Sequence, residues 1–299
     1  PLIETHVHKW YNLCIMKRIA IVTGASSGLG KEFAKQISGF CDLDEIWIIA
    51  RRKEKLDELA KEINSSKNFD IVKPIQLDLS KRENLYEFQK LLQEESLKLH
   101  SIESKLEVAI LINNAGFGTY GPFEETPLEK EIEMVDLNCT ALTALCGYAI
   151  PYMNKGGLII NTASLAAVLP LGNFAVYGAT KSFVLSLSIA LKAELKDKGI
   201  KVCALCPGPV STEFANVASN GAREEVKNGL DAGKVVAHCL KNALNDKGMA
   251  IMAFKWKFKA FASRFVDRYF GARFMYKYCK RPYKHEEKTE ETVDLSDFI

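Results

Sequence analysis

The chain alternates between short apolar runs and longer segments in which apolar residues recur at helical spacing. Seven runs have the length and composition of buried strands, at residues 19–22, 45–50, 71–77, 107–112, 157–161, 200–206 and 248–254. Helical spacing occurs near residues 29–37, 53–63, 81–98, 127–150, 174–197 and 231–245. This alternation predicts an α/β fold, a single doubly wound domain with helices on both faces of a parallel sheet.

The pattern changes after residue 253. Between Phe254 and Lys280 the chain has ten aromatic residues, eight Lys or Arg and one acid, Asp267. The aromatic residues at 254, 258, 261, 265 and 269 are three or four positions apart, which predicts an amphipathic helix with a basic opposite face. Such a helix can pack on its own domain, wall a substrate cleft, form a subunit contact or lie on an anionic membrane surface. The sequence leaves these alternatives open.

These patterns divide the chain into four parts. Residues 1–15 are expected to be an extra, disordered segment. Charges and histidines interrupt their apolar residues, so they do not resemble a signal peptide. Residues 16–253 form the predicted domain, 254–284 the helical extension and 285–299 an acidic, flexible tail.

The composition fits a soluble protein of the cytoplasm. The chain is 47% hydrophobic and 26% charged, which is enough to bury a full core. A net charge of +3 is too small to indicate nucleic-acid binding, and no apolar run reaches the ~18–20 residues that span a bilayer. The scattered cysteines are typical of buried thiols in a reducing compartment. Cys203 and Cys206 are expected on opposite faces of one strand, so no metal site is predicted.

A glycine-rich turn occupies residues 23–30, with the sequence Thr-Gly-Ala-Ser-Ser-Gly-Leu-Gly. It follows the first apolar run and precedes a helical pattern that contains Phe33 and Ile37. In this context, glycines let the backbone approach a pyrophosphate, and the amino end of the helix attracts its charge. The turn therefore predicts a dinucleotide site, with Gly-x-x-x-Gly-x-Gly spacing.

A tyrosine and a lysine lie four residues apart, at Tyr177 and Lys181, and Ser164 lies thirteen residues before the tyrosine. On a helix, this spacing places the phenol and the ammonium on one face. A phenol has a pKa near ~10, and a nearby cation is expected to lower that pKa and make Tyr177 an acid–base group near neutral pH. Singly, these residues have structural explanations, namely a core tyrosine and a turn-capping serine. Their occurrence with the glycine turn favours catalysis.

Over roughly residues 17–252, these motifs resemble those of the classical short-chain dehydrogenase/reductase family, and its further landmarks appear in order at Asp78, 113–116, Asn138 and 207–208. The resemblance implies a Rossmann domain with a seven-stranded, mostly parallel sheet. It implies that Tyr177 protonates a carbonyl oxygen, Lys181 hydrogen-bonds the nicotinamide ribose, and Ser164 polarises the carbonyl. It also implies that Asn138 holds a water linking the lysine to solvent, and that the enzyme is a homodimer or homotetramer.

The end of the second predicted strand indicates the cofactor. Arg51 and Arg52 stand where an acid would bind an unmodified ribose, and a guanidinium pairs with a phosphate, which favours NADP(H) over NAD(H). Alternatively, the two arginines only begin a solvated helix. The turn and the resemblance together assign further cofactor contacts to Gly24, Ser26, Ser27, Gly28, Leu29, Gly30, Asp78, Leu79, Asn114, Ala115, Gly116, Pro207, Gly208, Val210 and Thr212.

The predicted substrate is a hydrophobic ketone or alcohol, such as a ketosteroid, a 3-oxoacyl compound or an aromatic ketone. Residues 165–171 are almost wholly apolar, as are Phe117 and Phe174, and no Lys or Arg between Ser164 and Lys181 can capture a carboxylate. Residues 213–229 are polar and are positioned like the mobile substrate lid of the family. We therefore predict an NADPH-dependent carbonyl reductase or alcohol dehydrogenase.

Two other functions remain open from the sequence. The first is a non-catalytic NADPH-binding sensor, which would have little use for Asn138, Ser164, Tyr177 and Lys181 together. The second is a sugar-nucleotide epimerase or dehydratase, whose family shares the Tyr-x-x-x-Lys motif. Those enzymes have a differently spaced glycine turn and a larger C-terminal domain, and neither is present in the sequence.

Overall fold

A computed structural model describes residues 16–284 with the exception of positions 41, 68, 225 and 227. The predicted segments 1–15 and 285–299 lie outside the described residues. The described strands form one sheet: β1 (Met16–Thr23), β2 (Glu45–Ala50), β3 (Val72–Gln76), β4 (Lys105–Asn113), β5 (Leu158–Thr162), β6 (Lys201–Leu205) and β7 (Met249–Ala250). Their order is β3-β2-β1-β4-β5-β6-β7, and every neighbouring pair is parallel. This confirms the predicted fold class.

The described helices flank this sheet and extend beyond it. They are α1 (Gly28–Ile37), α2 (Lys53–Lys67), α3 (Arg82–His100), α4 (Leu128–Val135), α5 (Leu142–Ala149), α6 (Ala175–Glu194), α7 (Phe214–Ala218), α8 (Ala232–Leu244), α9 (Phe254–Ala262) and α10 (Arg268–Tyr278). The predicted helix over 127–150 is therefore two helices, joined by a π-helical segment, Asp136–Ala141.

Alternate residues of the strands enter two hydrophobic cores, one on each face of the sheet. Ala20 and Val22 belong to one core, and Ile19 and Ile21 belong to the other. The cysteines obey the same rule: Cys203 packs in the first core, while Cys206, just beyond β6, packs in the second. The pair therefore faces opposite sides, and the described part of the chain contains no cluster of potential metal ligands.

The sheet order positions the functional site. From β1 the chain proceeds outward to β2 and β3, and β4 then returns to the other side of β1. The crevice at such a reversal, at the carboxyl ends of the strands, is where doubly wound sheets bind ligands. The glycine-rich turn follows β1 and residues 113–116 follow β4, so both lie at this crevice.

The C-terminal extension is helical but interrupted. The single amphipathic helix predicted from Phe254 to Tyr269 is wrong in this respect, because α9 gives way to a short 3₁₀ turn, Ser263–Phe265, before α10 begins. The break has a local cause: the carboxylate of Asp267 accepts a hydrogen bond from the Phe270 N–H at 2.8 Å and so caps a new helix. Among the described helices, none is long and apolar enough to cross a bilayer.

Candidate active site

The turn after β1 leaves no room for side chains. Gly24 has a φ of +65°, in the left-handed region, and a Cβ atom there would lie 2.8 Å from the Cα atom of Ala115. A Cβ atom at Gly30 would lie 2.6 Å from the side-chain amide nitrogen of Asn114. That amide also donates to the carbonyl of Thr23 at 3.2 Å, which ties the turn to the end of β4. The turn is a backbone-lined cradle at the amino end of α1, and it fits a pyrophosphate.

A cavity of about 730 Å³ extends from this cradle to Tyr177. It brings together most of the residues selected from the sequence: Gly24, Ser26, Ser27, Gly28, Leu29, Arg51, Arg52, Asp78, Leu79, Asn114, Ala115, Gly116, Ser164, Tyr177, Lys181, Pro207, Gly208, Val210 and Thr212. Gly30 and Asn138 are not part of the lining. Both are buried directly behind it, so they shape the cavity without facing it.

The two predicted phosphate-binding arginines differ in position. The Arg52 guanidinium lies over the glycine turn and donates to the hydroxyls of Ser26 and Ser27, each at 2.9 Å. It also pairs with Glu213 at 2.8 Å. Hydrogen bonding to Lys55, and then to Arg52, lowers the pKa of Glu213 to about 2. Arg51 points elsewhere, to Glu133 at 3.4 Å, so Arg52 is the arginine gathered with hydroxyl groups at the cradle.

Asp78 and Thr212 both line the cavity that contains the cradle. One carboxylate oxygen of Asp78 accepts hydrogen bonds from the backbone N–H and the hydroxyl of Ser80, at 3.1 and 2.8 Å. Thr212 lies against the cradle, since a Cβ atom at Gly28 would be 3.1 Å from its methyl carbon. Both positions agree with the expected cofactor groove, and their individual contacts remain predictions.

Tyr177, Ser164 and Lys181 come together at the other end of the cavity. The Tyr177 ring is 7% exposed and stacks on Phe174, with ring centroids 4.1 Å apart. Ser164 begins a short 3₁₀ turn after β5, and its hydroxyl accepts the N–H of Ala166 at 3.1 Å. Lys181 follows Tyr177 by one turn of α6, as predicted, but its ammonium lies 5.7 Å from the phenol ring centroid. It donates to the Thr162 carbonyl at 2.7 Å.

The electrostatics of this group correct one expectation. Burial raises the pKa of Tyr177, and the Ser164 hydroxyl and the charge of Arg281 oppose that shift. Burial also lowers the pKa of Lys181 to about 8. The expectation that Lys181 lowers the phenol pKa is wrong in this structure, because desolvation outweighs the neighbouring charges and the ammonium is turned toward Thr162.

Asn138 lies on the π-helical segment between α4 and α5, an irregularity frequent at functional sites. Its amide donates to the Phe117 carbonyl at 2.9 Å and its oxygen accepts the Phe117 N–H at 3.1 Å. A Cβ atom at Gly116 would lie 2.6 Å from this oxygen and 3.4 Å from the Lys181 ammonium. Asn138 therefore fixes the backbone beside Lys181. Its predicted water-holding role remains a prediction.

The sequence did not identify the residues that the C-terminal extension places in the cavity. Trp256 packs on the turn after β6, where a Cβ atom at Gly208 would lie 2.7 Å from the indole nitrogen. Met275 and Arg281 also line the cavity. The extension therefore forms part of the wall of the cleft, which is one of the alternatives that the sequence left open. The one available signal was its density of aromatic and basic residues, which does not indicate where it folds.

The fold and the site define a class of protein: a Rossmann domain whose cavity joins a pyrophosphate cradle to a half-buried serine and a buried tyrosine and lysine. The family model described as short chain dehydrogenase matches residues 18–222. The chain belongs to this family and is an oxidoreductase of carbonyl and alcohol groups.

Several known proteins are similar to the chain. A very-long-chain 3-oxoacyl-CoA reductase from Anas platyrhynchos is 32% identical over 207 residues, which cover 67% of this chain and 62% of that protein. A short-chain dehydrogenase from Sphingobium yanoikuyae, solved with NADPH, is 28% identical with a TM-score of 0.70, over 83% of this chain and 93% of that one. A bulky-bulky ketone specific alcohol dehydrogenase from Comamonas testosteroni is 28% identical with a TM-score of 0.66, over 82% and 92%.

Proposed function

We propose that the protein is an NADP(H)-dependent oxidoreductase that interconverts a hydrophobic carbonyl compound and its secondary alcohol. One observation carries this proposal: Ser164 and Tyr177 face the same apolar cavity, which continues into the glycine cradle. A carbonyl oxygen placed between the two hydroxyls would lie next to the cofactor groove.

The residues divide the reaction between them. When bound, a reduced nicotinamide supplies the hydride that adds to the carbonyl carbon. Tyr177 gives its phenolic proton to the carbonyl oxygen, so that the product is a neutral alcohol, and takes that proton back in the oxidative direction. The Ser164 hydroxyl donates to the same oxygen and polarises it. Lys181 is available to hold the nicotinamide ribose and to return a proton toward Tyr177.

The apolar lining supports a hydrophobic substrate. Around Tyr177 the cavity is lined mainly by aliphatic and aromatic side chains: Phe117, Tyr120, Leu165, Ala166, Leu171, Phe174, Phe214, Val217 and Met275. Two similar proteins are named for a 3-oxoacyl-CoA and for bulky ketones, which supports the same substrate class for this chain.

The position of Arg52 supports NADP(H) as the preferred cofactor. Its guanidinium and the hydroxyls of Ser26 and Ser27 converge at the edge of the cradle, and a 2′-phosphate would accept hydrogen bonds from all three. Glu213 already forms an ion pair with this guanidinium, so binding of a 2′-phosphate would require part of that ion pair to break.

The first prediction concerns turnover and cofactor choice together. We expect the protein to oxidise NADPH with bulky aromatic ketones or 3-oxoacyl thioesters, and to prefer NADPH over NADH in kcat/KM. We expect Arg52→Ala to reduce that preference by about 10- to 100-fold, because it removes a charged hydrogen bond to the phosphate. Initial rates, followed by the absorbance of the reduced nicotinamide, give both values.

Lys53→Ala is the matched control, since Lys53 is the next residue but pairs with Asp57 and does not line the cavity. An unchanged cofactor preference in Arg52→Ala would contradict the assignment of Arg52. Tight NADPH binding without turnover of any ketone would instead favour the sensor function.

We also propose that the extension contacts an anionic membrane surface, so that a cytoplasmic enzyme meets its hydrophobic substrate at the bilayer. Large aromatic side chains of α9, α10 and their connection are exposed: Phe254, Phe258, Phe261, Phe265, Tyr269, Phe270, Phe274 and Tyr278. Residues 254–284 contain ten Lys or Arg and one acid. This charge is complementary to anionic lipid and opposes pairing with a second copy of the same surface.

The second prediction tests this contact. We expect the protein to cosediment with vesicles that contain phosphatidylserine and to be released by salt, because each cation near such a surface contributes about 1 kcal/mol. The double variant Phe254→Ser/Phe265→Ser should bind the vesicles several-fold more weakly, since Phe254 and Phe265 are 81% and 78% exposed. Phe69→Ser, which removes an exposed phenylalanine outside the extension, is the control. Equal binding to neutral vesicles, or no binding, would contradict the prediction.

A further inference from the structure

A positively charged side chain from the C-terminal extension enters the substrate end of the cavity. The Arg281 guanidinium carbon lies 4.8 Å from the ring centroid of Phe174, and Phe174 stacks directly on Tyr177. It also lies 5.7 Å from the ring centroid of Tyr120. Arg281 is therefore one aromatic ring away from the proposed proton donor.

This cation has no counterion among the described residues. Its polar contact is the Gly172 carbonyl at 3.5 Å, and no described carboxylate lies within ion-pairing distance. Instead, a second guanidinium, that of Arg223, lines the same cavity and lowers the pKa of Arg281 further than burial alone does. Arg281 is half-buried and Arg223 is exposed at the same cavity, so an anion bound between the two guanidinium groups would relieve the repulsion of their like charges.

The segment that carries Arg281 is anchored on both sides. The Asn173 amide donates to the Tyr276 carbonyl at 2.9 Å, before the arginine. After it, the Lys284 N–H donates to the Ser219 carbonyl at 3.0 Å, and the Asn220 amide donates to the Lys284 carbonyl at 2.8 Å. The guanidinium is thus presented on a fixed backbone, which reduces the entropy lost when it binds a ligand.

We propose that Arg281, assisted by Arg223, forms an oxyanion subsite, and that the physiological substrate carries a carboxylate or phosphate group in addition to its carbonyl. A guanidinium binds either oxyanion through charge-assisted, bidentate hydrogen bonds. The apolar lining holds the body of the substrate between this subsite and Tyr177. The substrate is therefore an amphiphile, either an oxo acid or an oxo compound with a phosphate ester close to its carbonyl, since Arg281 is separated from Tyr177 only by the ring of Phe174. This inference rests on the proposed function, of which it narrows the substrate class.

The proposal departs from an expectation drawn from the sequence, which disfavours a charged substrate because no cation lies between Ser164 and Lys181. The structure supplies the cations from the lid segment, at Arg223, and from the extension, at Arg281.

The test compares matched substrates that differ in one charge. In the parent protein with NADPH, we expect 4-oxo-4-phenylbutanoate to be reduced with a kcat/KM about 10- to 100-fold above that of its methyl ester, mainly through KM. Arg281→Gln should reduce this acid-to-ester ratio by about ten-fold or more. A second pair, 4-hydroxy-1-phenylbutan-1-one and its phosphate ester, distinguishes a phosphate from a carboxylate as the recognised group.

Arg82→Gln is the control, because Arg82 is exposed and lies outside the cavity. If Arg281 has only a structural role, Arg281→Gln would lower kcat/KM equally for the acid and the ester. The acid-to-ester ratio would then be unchanged, which would overturn the proposal. So would a parent protein with no preference for either charged member of the two pairs.

A binding measurement separates this proposal from the proposed function. By titration calorimetry in the presence of NADP⁺, 4-phenylbutanoate should bind the parent at least several-fold more tightly than its amide, and Arg281→Gln should remove the difference. If the acid binds more tightly and Arg281→Gln removes this preference, but no carbonyl compound is turned over, the subsite is supported and the proposed reaction is contradicted. Turnover of neutral ketones with no such binding difference would sink the subsite and leave the reaction standing.

Discussion

Replacing Tyr177 with phenylalanine should lower kcat for carbonyl reduction by about 10³-fold while NADPH binding and the fold are retained, because positioned acid–base groups contribute roughly 10²- to 10⁴-fold. The variant loses only the phenolic oxygen. The ring still stacks on Phe174 and keeps its place at 7% exposure. Single-turnover kinetics report the chemical step, and titration of NADPH fluorescence reports cofactor binding in the same sample.

Tyr120→Phe is the matched control. Tyr120 is also a buried tyrosine of the cavity, packed edge-on against Phe174 with ring centroids 4.9 Å apart. Removal of its hydroxyl should change kcat much less, since it has no proposed part in proton transfer. If Tyr177→Phe retains the parent rate, or if Tyr120→Phe loses as much, the proton donor has been assigned to the wrong residue.

The pH dependence of turnover by the parent protein should follow the titration of Lys181. Burial lowers the pKa of this lysine to about 8, so its ammonium is present at neutral pH and is lost as the pH rises through that value. Burial keeps Tyr177 protonated over the same range, since its pKa is raised. The phenol therefore remains a proton donor at neutral pH, and the lysine is the group that titrates.

Local patterns predicted the fold and one end of the site. The period of the apolar residues specified the strands, and the glycine turn was recognisable because only glycines permit its φ angles and close contacts. The sequence correctly placed Tyr177 and Lys181 one turn apart on the same helix, because helical spacing depends only on sequence separation. The direction of the Tyr177 pKa shift was not accessible in this way, because desolvation depends on what the rest of the chain places around the ring.

The C-terminal residues of the site could not be predicted for a related reason. Arg281 meets Phe174, and Trp256 meets Gly208, across more than forty residues of intervening chain, and no local period records such contacts. The cap formed by Asp267 is a local signal that could have located the break between α9 and α10. A continuous stripe of aromatic residues concealed it.

Replacing Lys181 with methionine should abolish turnover and, in the cofactor-free protein, stabilise the fold by about 2 kcal/mol near neutral pH. The lysine is 4% exposed, and burial lowers its pKa from 10.5 to about 8. Such a shift corresponds to about 3 kcal/mol by which burial disfavours the charged lysine. Loss of the hydrogen bond to the Thr162 carbonyl offsets about 1 kcal/mol of that gain.

The sign of the pH dependence identifies the cause. Between about pH 8 and 10.5 the unfolded parent binds more protons at this site than the folded parent, so parent stability rises with pH across that window. Methionine does not titrate, and the stability advantage of Lys181→Met should therefore shrink toward pH 10.5 and reverse once the lysine is neutral in both states.

Urea unfolding at several pH values measures stability against pH for the parent and for Lys181→Met. Lys90→Met, at an exposed lysine on α3, should shift stability by less than about 0.5 kcal/mol at every pH. Parallel curves for parent and variant would show that the buried charge is not what destabilises the fold. Converging curves, together with the loss of turnover in Lys181→Met, would mean that the protein retains an unfavourable buried lysine because catalysis requires it.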